Sequence, residues 1–205
     1  MTGGCFITGT DTGVGKTVVA AMLCAGIPQL RYWKPIQCGV EPSTDRADVA
    51  QWAGLTPERL PAEAFRLDLP ASPHVAAAAA GVSISFDQLR PPAGAVLAEG
   101  AGGVMVPIND RQSMLDLMVA LGLPVILVAR TALGTINHTL LSLEALDRRG
   151  LRVAGVVLNG TPVPTTTETI RGWGKVKILA ELPPLAALNP ASLRAAFEQH
   201  WRGER

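Results

Sequence analysis

Short apolar runs alternate along the chain with longer segments whose apolar residues recur at helical spacing. The runs predict strands at 5–9, 30–36, 95–98, 125–129, 153–158 and 176–180, and the segments predict helices at 16–25, 44–53, 74–80, 113–121, 135–149 and 191–201. A strand followed by a helix, repeated in this way, predicts a doubly wound α/β fold with a mostly parallel sheet and helices on both faces.

Three stretches interrupt this pattern, at 35–43, 57–73 and 162–167, and we interpret them as loops. Ligands of such sheets bind at the carboxyl ends of the strands, and the first two stretches are expected to reach over that edge. No shift of composition marks a boundary, so residues 1–205 are expected to form one domain.

Composition narrows the classes of function. Of the 205 residues, 48% are hydrophobic and 17% are charged, and the formal net charge is +1. This balance argues against partners such as nucleic acids or anionic membranes. No apolar run approaches the roughly 20 residues of a membrane helix, and we expect no signal peptide. Three cysteines without metal spacing predict neither disulfides nor a zinc site, and they favour a reducing cytoplasm.

The most informative stretch is GTDTGVGKT, residues 9–17, which lies between a predicted strand and a predicted helix. Gly13 and Gly15 would let backbone N–H groups point at a polyphosphate, and the helix would present its positive end to it. Lys16 could reach the β- and γ-phosphates, and the Thr17 hydroxyl could ligate Mg²⁺. We therefore predict a P-loop that binds a nucleoside triphosphate, in a sheet of the P-loop NTPase type.

The spacing of this P-loop departs from the general pattern. Thr10 stands where the first glycine is expected, and Gly9 comes one residue early. The alternative interpretation is a glycine-rich strand-to-helix turn with an exposed lysine. We disfavour this alternative, because a turn without a phosphate-binding role would have the sequence Gly-Lys-Thr at a strand-to-helix junction only by chance.

Charged residues lie near the ends of other predicted elements. Glu99 comes directly after the third strand, where a second Mg²⁺ ligand is expected. Lys34 ends the second strand and could neutralise an anion, or it could simply extend to solvent. Asp45 and Asp48 begin a helix after Thr44, a predicted cap. Either acid could ligate a metal, or both could only complement the helix dipole.

Taken together, the motifs of this chain resemble the dethiobiotin synthetase family. Those that carry the resemblance are GTDTGVGKT at 9–17, KPIQCG at 34–39, SPHVAA at 72–77, EGAGG at 99–103, VPI at 106–108, GTINHTLLSLEAL at 134–146 and LPPL at 182–185. They cover most of the chain, and the family's P-loop has the same early glycine.

The resemblance implies a homodimeric ligase that uses ATP and Mg²⁺ to join CO₂ to 7,8-diaminopelargonic acid, giving dethiobiotin, ADP and phosphate. One amine takes up CO₂ as a carbamate, the γ-phosphoryl group of ATP moves to the carbamate, and the second amine attacks the anhydride and closes the ring. Phosphoryl transfer asks the protein chiefly for positioning and charge neutralisation. Because a preformed carbamate needs no imidazole base, we expect three histidines to be structural: His74, His138 and His200.

The resemblance also implies roles for particular residues. The implied catalytic residues are Lys16, Lys34 and Thr10, and the implied Mg²⁺ ligands are Thr17, Asp45 and Glu99. The implied ATP-binding residues are Thr12, Gly13, Val14, Gly15, Lys16, Thr17, Val18, Asn159, Pro183 and Leu185, the last three at the base. The implied diamine-binding residues are Thr10, Lys34, Cys38, Gly134, Ile136 and Asn137, with the last three near the subunit interface.

Three of these positions leave alternatives open. Cys38 stands where the family usually has Ser or Thr, which leaves a weaker donor and a possible reactive thiol. Asn137 could instead be a helix N-cap. Gly160 stands where an acidic residue is common in the family, so recognition of the base stays open.

Two other functions also use a P-loop. A nucleotide-switched ATPase of the partition or cell-division type has a similar sheet, but the segments KP at 34–35 and EGAGG at 99–103 favour synthesis. We see no amphipathic tail that would target such a switch to a membrane. An enzyme that amidates cobyrinate carries a further glutaminase domain, and we expect this chain to be too short for it.

Overall fold

A six-stranded parallel sheet forms the centre of the computed structural model, which describes residues 3–204. Its strands, in chain order, are β1 Gly4–Gly9, β2 Arg31–Trp33, β5 Val96–Gly103, β6 Val125–Arg130, β7 Val153–Asn159 and β8 Ile178–Leu182. They lie side by side in the order β2-β5-β1-β6-β7-β8. A separate parallel pair consists of β3 Ile36–Cys38 and β4 Phe65–Leu67.

Helices cover both faces of the main sheet. They are α1 Lys16–Gly26, α2 Asp45–Ala53, α3 Pro73–Ala79, α4 Met114–Leu121, α5 Thr135–Arg148, α6 Pro164–Gly174 and α7 Pro190–His200, with 3₁₀ turns at Pro57–Arg59 and Phe86–Gln88. Successive side chains of β1 serve the two faces: Cys5 and Ile7 pack with α1, α2 and α7, and Phe6 packs with α3 to α6. The predicted doubly wound α/β fold is confirmed. Among residues 3–204, no helix has the length and apolar character that a membrane crossing needs.

The strand order places the predicted P-loop at the centre of the carboxyl edge. β1 lies between β5 and β6. The chain crosses from β1 to the edge strand β2, returns to place β5 between them, and then adds β6, β7 and β8 on the other side of β1. Binding crevices of such sheets open where the strand order reverses. Residues 10–15 leave β1 at this point and lead directly into α1.

The prediction of a single strand over 30–36 is wrong. β2 ends at Trp33, and β3 begins at Ile36 in the other sheet. Pro35 has no N–H group to donate to a ladder, so the chain leaves the main sheet there. The predicted strand at 95–98 is longer than expected, because β5 continues to Gly103 and includes Glu99.

The predicted loops also contain regular structure. The stretch 35–43 contains β3, and the stretch 57–73 contains a 3₁₀ turn and β4. The prediction of a loop at 162–167 is wrong, because Pro164 begins α6. Proline fits the first position of a helix, where its missing N–H group costs nothing.

Candidate active site

The loop between β1 and α1 has the conformation that its glycines allow. Gly13 has φ of +73° and Gly15 has φ of +94°, a region that other residues avoid. The loop turns the Asp11 carbonyl oxygen toward Lys16, whose Nζ donates to it at 3.0 Å. Lys16 is only 7% exposed, so its ammonium lies inside the loop rather than in solvent. The alternative of a turn with an exposed lysine is therefore wrong.

The early glycine has a steric reason. A Cβ atom on Gly9 would lie 2.8 Å from Val14 Cγ2 and 3.2 Å from Lys16 Nζ. The loop closes directly over Gly9, so any side chain there would displace it. Thr10 is half-buried, and its N–H donates to the Val128 carbonyl oxygen at 2.9 Å, which ties the start of the loop to β6.

Lys34, Asp45 and Glu99 meet at the edge beside this loop. The last register pair of strands β2 and β5 is Trp33 with Ala98. The residues that follow these two, Lys34 and Glu99, therefore lie side by side. Lys34 Nζ lies 2.5 Å from Asp45 Oδ2 and 3.0 Å from Glu99 Oε1. Lys34 is 3% exposed, so the alternative of a lysine that extends to solvent is wrong.

Thr17 joins the two carboxylates from the first turn of α1. Its Oγ1 lies 2.9 Å from Asp45 Oδ1 and 3.1 Å from Glu99 Oε1. Asp48, the other candidate acid, accepts instead from Ser43 Oγ at 2.7 Å. The structure therefore brings Asp45 to the cluster, whereas Asp48, in the first turn of α2, is paired with Ser43 of the preceding loop.

Asp45 owes its position to the start of α2. Thr44 is the N-cap of this helix, as predicted, and its Oγ1 accepts from the Ala47 N–H at 3.2 Å. Gln37 holds the same turn from β3: its Oε1 accepts from the Asp45 N–H at 3.2 Å, and its Nε2 donates to the Gly39 carbonyl oxygen at 2.8 Å. Sequence reasoning missed Gln37, since a glutamine in an apolar strand carries no distinctive signal.

Tyr32 is a second residue that sequence reasoning missed. Its hydroxyl donates to Glu99 Oε2 at 3.0 Å, and the side chain is fully buried. Tyr32 and Lys34 are two residues apart and both reach Glu99, but an aromatic residue in an apolar run carries no signal of this contact until the strand beside it is known.

Burial and charge shift the pKa values of this cluster. Burial acts to lower the pKa of Lys34, but Glu99 and Asp45 together raise it above its ordinary value. Burial raises the pKa of Glu99, although Lys34 opposes the shift. For Asp45, burial acts to raise the pKa, but Lys34 outweighs it and holds the pKa below its ordinary range. Burial lowers the pKa of Lys16, with Glu99 opposing, and burial together with the charge of Glu99 raises the pKa of Tyr32 well above its ordinary value.

The residues predicted at the base lie on the other side of the P-loop. Asn159 ends β7, and its Nδ2 donates to the Val14 carbonyl oxygen at 3.0 Å. A Cβ atom on Gly15 would lie 2.0 Å from that nitrogen, so Asn159 packs directly on the loop. Pro183 and Leu185 are half-buried and follow β8, beside β7.

Gly160 has no room for the acidic residue that is common at this position in the dethiobiotin synthetase family, which the chain resembles. Its φ is +136°, and a Cβ atom would lie 2.4 Å from Thr131 Oγ1. Any side chain at this position would require both the backbone and Thr131 to move.

The remaining predicted residues divide between core and surface. Val14 is 1% exposed and belongs to the core, Val18 is half-buried, and Thr12 is exposed, with its N–H donating to Asp11 Oδ1 at 2.7 Å. Cys38 is half-buried at the end of β3.

The start of α5 holds the residues predicted near the subunit interface. Gly134 is the N-cap of α5, with φ of +91°, and Asn137 is the third residue of the helix. The alternative of Asn137 as N-cap is therefore wrong. Asn137 is exposed and Ile136 is half-buried, and within residues 3–204 no hydrogen bond joins this segment to Lys34 or Glu99.

The sequence matches a family model described as an AAA domain over residues 4–192. It is 47% identical over 206 residues to the ATP-dependent dethiobiotin synthetase BioD of Rhodopseudomonas palustris (strain BisB18), covering 100% of this chain and 98% of that protein. It is 48% identical over 197 residues to the protein of the same name from Agrobacterium fabrum, covering 95% of this chain and 92% of that protein. This chain belongs to the dethiobiotin synthetase family.

Solved structures with a similar fold have other names. The septum site-determining protein MinD complexed with Mg-ADP from Pyrococcus horikoshii matches with a TM-score of 0.54 and 13% identity, over 96% of this chain and 86% of that one. The cell division ATPase MinD of Pyrococcus furiosus matches with a TM-score of 0.52 and 14% identity, over 96% of this chain and 99% of that one. At these identities the likeness shows the fold alone, so the fold of this dethiobiotin synthetase family member is also that of cell-division ATPases.

The donor set of the cluster fits a magnesium ion. Mg²⁺ prefers hard oxygen ligands and is held in proteins by one or two carboxylates together with phosphate oxygens. Asp45 and Glu99 supply two carboxylates, and the Thr17 hydroxyl oxygen lies within 3.1 Å of an oxygen of each. The dethiobiotin synthetase resemblance names these same three residues.

Cys38 provides a prediction about pH. Burial raises the pKa of the Cys38 thiol to about 11, so the thiol is protonated at neutral pH, and a reactive thiol is not expected. Alkylation by iodoacetamide should be slower at pH 7.5 than that of free cysteine and should rise about tenfold per pH unit between pH 8 and 10.

The control for this measurement is Cys38→Ser, followed by mass spectrometry. Cys5 and Cys24 are buried, and burial raises the pKa of each to about 12, so the variant should take up almost no label. Labelling of Cys38 at pH 7.5 as fast as that of free cysteine would contradict the assignment.

Proposed function

We propose that this chain catalyses the ATP-dependent formation of dethiobiotin from 7,8-diaminopelargonic acid and CO₂ or bicarbonate, a step of biotin biosynthesis in the cytoplasm. The observation that carries the proposal is the buried contact of Lys34 with Asp45 and Glu99 beside the P-loop. It places an ammonium and two carboxylates where a nucleotide tail would end, in a member of the dethiobiotin synthetase family.

The P-loop residues hold the triphosphate in this proposal. Backbone N–H groups of Gly13, Val14, Gly15 and Val18, together with Thr12, Lys16 and Thr17, would surround its oxygens. When bound, Mg²⁺ held by Thr17, Asp45 and Glu99 would neutralise charge on the β- and γ-phosphates. The base would lie against Asn159, Pro183 and Leu185, at the ends of β7 and β8.

Lys34 has the central role toward the carbamate. Carbamate and γ-phosphate are both anions, and two unit charges about 4 Å apart repel by about 4 kcal/mol at an effective dielectric constant of 20. The pKa of Lys34 is raised by its carboxylate partners, so it carries a positive charge at neutral pH and can donate to the carbamate. Thr10 and Cys38 would lie beside the two amines, and ring closure would follow attack of the second amine on the phosphorylated carbamate.

A second copy of the chain would complete the substrate site. Gly134, Ile136 and Asn137 are assigned to the far end of the diamine, where they would help to hold its carboxylate across the subunit boundary. Leu133 is fully exposed next to this segment, and Leu141 is 57% exposed one turn beyond Asn137 on the same side of α5. This apolar surface supports a homodimer in which the start of α5 meets the partner.

The first test measures which compounds drive ATP hydrolysis. ADP formation should require both the diamine and bicarbonate, and dethiobiotin should appear in equal amount. Lys16→Ala should abolish both products, because no other side chain of the loop supplies its charge to the phosphates, and circular dichroism should show the fold retained. ATP hydrolysis that is indifferent to the diamine would instead favour a nucleotide switch.

Lys34→Gln should affect both synthesis and stability. The substitution leaves Asp45 and the buried Glu99 without their ammonium, and breaking a buried ion pair typically costs about 3–5 kcal/mol. We expect urea unfolding in EDTA to show a loss of about 3 kcal/mol, and product formation to fall while ATP affinity is largely preserved. Lys177→Gln, at an exposed lysine of the opposite edge, is the matched control. Unchanged stability, or a selective loss of nucleotide binding, would contradict this role.

Leu133→Asp should weaken the dimer. A charge at this fully exposed apolar position would be buried without a partner at the proposed interface. Light scattering after size exclusion should show monomers at concentrations where the unaltered chain is dimeric. Trp173→Ser, at a 79% exposed residue of α6, should leave the dimer intact. A dimer that survives Leu133→Asp would place the interface elsewhere.

A further inference from the structure

The two oxygens of the Glu99 carboxylate have different partners. Oε2 accepts from the Tyr32 hydroxyl at 3.0 Å. Oε1 accepts from Lys34 Nζ at 3.0 Å and lies 3.1 Å from Thr17 Oγ1. One oxygen therefore faces the protein core through Tyr32, and the other faces the P-loop.

We propose that Tyr32 is a positioning residue for the cation site: by holding Oε2 of Glu99, its hydroxyl presents Oε1 to a divalent cation at Thr17. The inference rests on the proposed function in so far as Thr17, Asp45 and Glu99 hold that cation. Tyr32 itself touches neither the nucleotide nor the cation, and it acts only through Glu99.

The terminal torsion of a glutamate explains why such a residue is needed. Rotation about the last bond of the side chain is broad and roughly two-fold, so packing alone does not select one carboxylate orientation. The phenol ring of Tyr32 is fully buried among residues of β1, α1 and α2, which fixes the direction of its hydroxyl. A fixed donor on Oε2 selects the orientation of the whole carboxylate.

The hydroxyl also compensates the burial of Glu99. Glu99 is 1% exposed, and a buried carboxylate oxygen without a donor is strongly disfavoured. Without the Tyr32 hydroxyl, Oε2 would have to turn toward Lys34 or Thr17 to find a donor. A half-turn would merely exchange two equivalent oxygens, but such a partial rotation would move Oε1 away from the position that the cation needs.

The neighbour of Tyr32 on the same strand provides a matched control. Trp33 is also buried, and its Nε1 donates to the Ala62 carbonyl oxygen at 3.1 Å. Its side chain lies in the cluster on the opposite face of the sheet. Trp33→Phe and Tyr32→Phe therefore each remove one hydrogen bond from β2, but only Tyr32→Phe removes a bond to Glu99.

The main experiment measures binding of Mn²⁺, as a probe for Mg²⁺, in the presence of ADP by electron paramagnetic resonance. Tyr32→Phe should weaken Mn²⁺ binding about tenfold, since loss of a partner that orients a metal ligand typically costs 10–100-fold. ADP binding in EDTA should be unchanged, and the lowered turnover should recover at high Mg²⁺. Trp33→Phe should leave Mn²⁺ affinity within about twofold of the unaltered chain, so an equal loss in both variants would overturn the proposal.

A second measurement needs no substitution. Tyr32 is the single tyrosine of the chain, so 3-fluorotyrosine incorporated throughout the protein reports on this residue alone. Its ¹⁹F resonance should shift when Mg²⁺ is added to the ADP complex. An unchanged resonance at saturating metal, or Mn²⁺ affinity unaffected by Tyr32→Phe, would overturn the proposal. If the unaltered chain makes no dethiobiotin but its Mn²⁺ binding is weakened by Tyr32→Phe as expected, the proposed function is overturned and this inference stands.

Discussion

The placement of a negative charge inside the sheet is the constraint on which the rest of the site depends. Glu99 is almost fully buried within β5, and an unpaired carboxylate in that position would oppose folding. Lys34 at the end of β2 and the first turns of α1 and α2 must therefore converge on it. The same convergence assembles the group of oxygens and the ammonium that the proposed chemistry requires, so stability and function depend on one set of contacts.

The sheet order converts distant sequence segments into neighbours. β5 is inserted between β1 and β2, so Glu99 stands between the P-loop and Lys34 although 65 positions separate it from Lys34 in the chain. The fold alone does not decide the activity, because MinD proteins share it at 13–14% identity. The family of this chain follows instead from its 47–48% identity to dethiobiotin synthetases.

Much of this arrangement could be predicted from the sequence. Apolar runs locate parallel strands, parallel strands end at one edge, and Lys16, Lys34 and Glu99 each lie near such an end. Pro35 marks the break after β2 in the sequence, whereas α6 escapes prediction because the prolines and threonines at its start resemble a loop. Tyr32 and Gln37 could not be assigned, since each reads as an ordinary strand residue until the strand or turn beside it is known.

The two acids of the cluster differ in how firmly the backbone holds them. Glu99 lies in a strand that is paired on one side with β1 and on the other with β2, and its register partner in β1 is Ile7. Asp45 stands at the tip of a short helix after an irregular connection, and its side chain is 29% exposed. Strand pairing therefore sets the position of Glu99, whereas the cap of α2 and the hydrogen bond from Gln37 set that of Asp45, so the cluster depends on a second, much shorter element for one of its two acids.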